Sequence, residues 1–81
     1  MKSTHSDEYQ RVIAALASAR KEGRVLQTEL AGRLDKPQSF VSKVENRERR
    51  IDIAEFVQIC RVIGVSPIAI LKQAGLITDD D

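Results

Sequence analysis

Gln38 and Ser42, and likewise Ser39 and Lys43, stand four residues apart, a spacing that gathers all four side chains on one side of an α-helix. A carboxamide, two hydroxyls and an ammonium in that array suit the edges of base pairs. Glutamine bonds adenine through two contacts, serine donates or accepts, and lysine reaches guanine acceptors. Gln27, Asn46, Arg47, Arg49 and Arg50 lie close by in the chain and carry donors suited to phosphate oxygens. The charge is distributed to match. The chain has 13 basic and 12 acidic residues and a net charge of +1. Between residues 36 and 50, however, Lys36, Lys43, Arg47, Arg49 and Arg50 face only Glu45 and Glu48. A local basic patch on a nearly neutral protein fits directed contact with a polyanion better than nonspecific coating. Ordinary solvated surface would explain any one of these residues. Taken together they point to double-stranded DNA, with Gln38, Ser39, Ser42 and Lys43 as base contacts and Gln27, Asn46, Arg47, Arg49 and Arg50 as phosphate contacts.

Helices must position these groups, because the sequence lacks sustained apolar alternation and hairpin dipeptides. The punctuation predicts five helices. The first is capped by Ser6 or Asp7, turns Tyr9, Val12, Ile13, Leu16 and Ala19 inward, and ends at Gly23. The second runs from Gln27 to Leu34 with Leu30, Ala31 and Leu34 inward, and Asp35-Lys36-Pro37 breaks it. The third runs from Pro37 or Gln38 to about Asn46 on the anchors Val41 and Val44, while Phe40 either packs at the core edge or meets a thymine methyl. Asp52 caps the fourth, whose apolar face is Ile53, Phe56, Val57, Cys60 and Ile63, and Gly64 stops it. Ser66 and Pro67 open the fifth, with Ile68 and Leu71 inward and Ile70 a further candidate for that face, and Gly75 closes it. The expected organisation is a flexible tail over 1–6, one all-α orthogonal bundle over 7–75 and a C-terminal tail over 76–81, with Asp79 to Asp81 frayed.

Helices two and three, joined by about three residues, make a helix-turn-helix, with Ala31 small enough for close approach and Asp35 tolerant of left-handed backbone. Over roughly Tyr9 to Leu71 the chain resembles the Xre/Cro-like helix-turn-helix regulators, whose DNA-binding domain has the fold of the lambda repressor's N-terminal domain. The matching residues are Leu16 and Arg20, Gln27 with Leu30-Ala31, the Val41, Val44 and Glu45 run, and Phe56 to Val65 ending in Ile63-Gly64-Val65. Gln27 and Gln38 match the family's paired glutamines, the first implied to hold phosphate and brace the second, which reads a base. The resemblance implies transcriptional regulation, usually by a dimer on a palindromic operator. The chain departs from the pattern at Leu26, Asp35, Pro37 and Arg47, where a cap, a turn glycine, a second cap and another glycine are common; Asn46 is then the expected left-handed residue after helix three.

Glu45, acidic within the basic window, is expected to pair with Arg20. Eighty-one residues make one domain. A chain this small without staples often gains stability by self-association, and Ile70, Leu76 and Ile77 are the apolar residues least needed by one core, hence the candidate homodimer contacts. The single Cys60 is expected in the core and His5 in an inert tail, leaving no internal disulfide and no zinc set. No catalytic constellation, phosphate loop or metal cluster is recognisable, so neither enzyme activity nor a cofactor is expected. A membrane partner is not expected either, because the apolar stretches are too short for a span; the expected location is cytoplasmic and nucleoid-associated. The alternative is an antitoxin-like or adaptor protein whose main partner is another protein.

Overall fold

The computed structural model describes residues 6–79. Five helices follow in chain order: α1 (Asp7–Glu22), α2 (Gln27–Arg33), α3 (Gln38–Glu45), α4 (Ile53–Ile63) and α5 (Pro67–Gln73). The starts of α1, α4 and α5 are set by side chains that satisfy the free N–H groups of a first turn. Ser6 Oγ accepts from the Tyr9 amide at 3.1 Å. Asp52 and Glu55 form a reciprocal capping box, with Glu55 N donating to Asp52 Oδ1 at 2.7 Å and Asp52 N to Glu55 Oε1 at 3.0 Å. Ser66 Oγ accepts from the amides of Ile68 and Ala69, and Pro67 takes the first helical position. Leu26 and Pro37, which precede α2 and α3, provide no side-chain cap. Gly64 stops α4 at φ 88°, a conformation that costs a residue with a Cβ.

The core gathers one stripe from each helix: Ile13 and Leu16 from α1, Leu30 from α2, Val41 and Val44 from α3, Ile59 and Cys60 from α4, and Ile70 from α5. Cys60 is fully buried, and burial pushes its thiol up. Phe40 is also buried, which settles its role as packing. Arg11 ties α1 to the end of α5, its Nε donating to the Ala74 carbonyl at 2.7 Å. The Tyr9 hydroxyl accepts from the Ile51 amide at 3.2 Å and holds the approach to α4 against α1.

Two expected faces are rotated. In α5, Ile68 is 58% exposed whereas Ile70 is 2% exposed, so Ile70 is a core residue with no surface to offer a second protomer. Residues two apart on a helix lie about 200° apart, and the face that meets the bundle is Ile70 with Leu71 and Ala74. In α4, Ile53 is 82% exposed, and Ile59 joins Cys60 in the core instead. Leu76 packs against the core and Ile77 is half-buried. Asp79 is paired with Lys72 at 2.7 Å rather than free; Asp80, Asp81, His5 and most of the 1–6 tail lie outside the described residues. Among the described residues no single helix is long and apolar enough to cross a membrane.

Candidate nucleic-acid interface

The interface begins with the turn between α2 and α3. Ala31, 2% exposed, lets the helices approach, and its carbonyl accepts from the Lys36 amide at 2.9 Å. Asp35 takes the left-handed conformation at φ 59°, as expected of a residue tolerant of that region. Phe40, Val41 and Val44 seat α3 on the core. With that side buried, Gln38, Ser39 and Lys43 are exposed and Ser42 is half-buried. The Ser42 hydroxyl donates to the Ser39 carbonyl at 3.3 Å, leaving its lone pairs open.

Behind this face lies a polar junction. Arg20 and Glu45 form a two-pronged ion pair, Nε to Oε2 at 2.6 Å and Nη2 to Oε1 at 3.0 Å, with side chains only 9% and 14% exposed. Arg20 Nη1 also donates to the Val25 carbonyl at 2.8 Å. Gln27 Nε2 donates to Glu45 Oε1 at 2.9 Å. The expected Arg20–Glu45 pair is therefore present, and it fastens α1 to α3 while orienting the carboxamide that opens α2. Gln27, expected to brace Gln38, leans on Glu45 instead.

Past α3 the expected left-handed residue is displaced by one. Asn46 has φ −85°, ordinary for its type, and Arg47 carries φ 63°. The reason is in the backbone bonds: Asn46 N still reaches the Ser42 carbonyl as a helical residue would, so the reversal falls on Arg47. Arg47 is exposed and borders a groove shared with Gln27, Asn46 and Lys21.

The last two arginines meet protein partners. Arg49 donates to both Glu55 oxygens at 3.1 and 3.2 Å and to the Arg50 carbonyl at 2.6 Å, and its guanidinium lies 4.6 Å from the Phe40 ring centre. The bond to Glu55 raises the Arg49 pKa further, and the bond from Arg49, helped by the Asp52 amide, holds the Glu55 carboxyl below its usual range. Arg50 lies over the Tyr9 ring at 5.1 Å. Lys36, a cation of the basic window over 36–50 that was not among the expected contacts, stands over Phe40 at 5.3 Å beside the turn. Its signal was position: it is the last cation before α3. Lys21 had no such signal, because its closeness to Gln27 and Arg47 arises only when α1 folds against them. Among the described residues no group of three or more His, Cys, Asp or Glu side chains could hold a metal ion.

Two short helices about a turn, the second seated by apolar anchors and flanked by cations, define a helix-turn-helix domain of the DNA-binding class. A family model described as Helix-turn-helix matches residues 16–70. A solved structure described as an XRE-family like protein from Pseudomonas syringae pv. tomato str. DC3000 superposes with a TM-score of 0.82 at 47% identity, covering 91% of this chain and 90% of that one. No curated protein matches the chain. The chain belongs to the Xre family of helix-turn-helix proteins and is a DNA-binding regulator in that general sense.

Proposed function

We propose that this regulator reads a palindromic operator as a homodimer, with α3 in the major groove of each half-site. The observation that carries the reading is the exposed Gln38, Ser39 and Lys43 face on a helix held by three buried anchors. Those side chains, with Ser42, contact bases; Gln27, Asn46, Arg47 and Arg50 contact backbone phosphate. Arg49 reaches phosphate only by leaving Glu55, so its share is smaller than that of its neighbours. A single short helix reads too few base pairs for strong selectivity, which favours two copies. The protomer measures 36 × 29 × 20 Å, dimensions compatible with recognition helices about 34 Å apart, one turn of B-DNA. The dimer surface lies on the C-terminal part with Ile77 and Leu76, joined by the exposed Ile68 in place of Ile70. The polar residues of the interface make the cytoplasmic nucleoid the natural place of action.

Selection from a random duplex library at about 150 mM salt tests this. An inverted repeat with half-site centres about 10–11 base pairs apart is expected. A single unrepeated site refutes the dimer. A flat distribution refutes sequence reading by this chain alone and favours an antitoxin-like or adaptor role in which a protein partner supplies specificity.

A further inference from the structure

The first turn of α3 has little local support. Pro37 stands at its N-cap and supplies no side-chain bond, and a helix of 8 residues is too short to hold its ends by propensity alone. Yet that turn carries Gln38 and Ser39. What fixes it is Phe40, buried in the core cluster. Over the Phe40 ring lie two cations, the Arg49 guanidinium at 4.6 Å from the centre and the Lys36 ammonium at 5.3 Å, each attracted by the negative face of the ring.

Arg49 is the anchored one of the two. It donates to both Glu55 oxygens, at 3.1 and 3.2 Å, and to the Arg50 carbonyl at 2.6 Å. Glu55 is itself held, because its Oε1 also accepts from the Asp52 amide at 3.0 Å as half of the capping box of α4, and its side chain is 17% exposed. A two-pronged contact between planar groups fixes tilt as well as distance, which a single-point ion pair does not. The contacts thus run from the cap of α4 through Glu55 and Arg49 to Phe40, and from Phe40 to the turn that presents Gln38 and Ser39. Moving Arg49 to a phosphate would break the ion pair, the ring contact and the carbonyl bond together. It would also leave Glu55 without its partner beside a polyanion.

We infer that Arg49 is a positioning residue for base reading: clamped by Glu55 and stacked on Phe40, it holds the first turn of α3 in the orientation from which Gln38 and Ser39 meet base edges. The inference rests on the reading of α3 as the helix that meets DNA. It narrows the part of Arg49 within that reading, from neutralising phosphate to setting which bases are preferred.

The test compares wild type with Arg49→Gln, Arg49→Lys and Glu55→Gln by fluorescence anisotropy. The probes are a duplex carrying the site that wild type enriches from the random library, and the same duplex altered at one base at a time. Glu55→Gln keeps the cap of α4, since glutamine serves in a capping box as glutamate does, and removes the clamp. Arg49→Lys keeps the charge without the planar fork. Each of the three variants is expected to lower the ratio of matched to altered affinity, at the bases read from the first turn, by about three- to ten-fold, a share of what one bidentate base contact supplies. The slope of log K against log salt should change by well under about one unit.

A phosphate contact predicts the opposite pattern. Glu55→Gln would then free Arg49 and raise affinity on every sequence, Arg49→Lys would behave as wild type, and Arg49→Gln would lose about one unit of salt slope. That result overturns the inference and leaves the DNA reading standing. Equal losses on matched and altered duplexes, with a lower melting temperature, would make Arg49 a stabilising residue alone and overturn it as well. A wild type that enriches no site removes the reading of α3, and the inference with it.

Discussion

Glu45→Ala isolates the junction on which the interface is built. The carboxylate accepts two bonds from Arg20 and one from Gln27, and both charged side chains are largely excluded from water. Removing it leaves a guanidinium in that setting with only the Val25 carbonyl as a partner. Breaking one side of such a pair costs about 3–5 kcal/mol, because the remaining charge is not compensated. A domain of this size has only about 4–12 kcal/mol in total. The variant should therefore melt about 12–40 °C lower, at about 4–8 °C per kcal/mol, and should be partly unfolded at ambient temperature if the wild type lies near the lower limit. Circular dichroism with heat and urea measures this. The double variant Arg20→Met, Glu45→Leu removes both charges and their desolvation cost, and should recover most of the loss. A Glu45→Ala loss below about 1 kcal/mol would be the behaviour of an exposed pair. That result, or a double variant no more stable than Glu45→Ala, would refute the view that the pair acts as a buried unit.

Three further outcomes are expected. The Glu55 carboxyl is held below the usual carboxylate range by Arg49 and the Asp52 amide, so its stabilisation is complete above the unfolded pKa and is lost as pH falls through the lower folded one; the urea-midpoint difference between wild type and Glu55→Gln should be constant from about pH 7 to 5 and shrink below about 4.5, and a difference that grew in acid would contradict it. Gln38→Ala should cost about 1–3 kcal/mol at one base position and relax preference there, measured on a panel of single-base operator variants; an equal loss on every sequence would make Gln38 a phosphate contact. Ile68→Asp alters a residue 58% exposed, and should weaken self-association in sedimentation without lowering the melting temperature, whereas Leu76→Asp, at a residue packed on the core, should lower it; an unchanged dimer in Ile68→Asp would move the interface elsewhere.

The sequence alone determined where the helices begin and end, because those signals act within about four residues. Asp52 with Glu55, Ser66 with Pro67, and Gly64 each satisfy or release backbone groups of their own helix. The turn residues between α2 and α3 and the anchors of α3 are equally local, so the helix-turn-helix and its outward Gln38, Ser39 and Lys43 were legible. The Arg20–Glu45 pair was legible in part: an acid within a basic window calls for a cation and Arg20 was the candidate, but that Arg20 faces Glu45 across α1 and α3 is a tertiary fact.

Tertiary structure decided what depends on a neighbour. Ile68 and Ile70 are equally apolar, and only the position of α5 against α1 and α4 selects Ile70 for the core. Arg49 differs from Arg47 in the sequence only by two positions, yet packing brings Glu55 and the Phe40 ring to one and gives the other no side-chain partner among the described residues. Lys21 reaches the groove because α1 folds beside the end of α3, a proximity between residues far apart in the chain. Local backbone chemistry is written residue by residue, whereas burial and charge pairing are properties of surfaces that exist only once the helices have met.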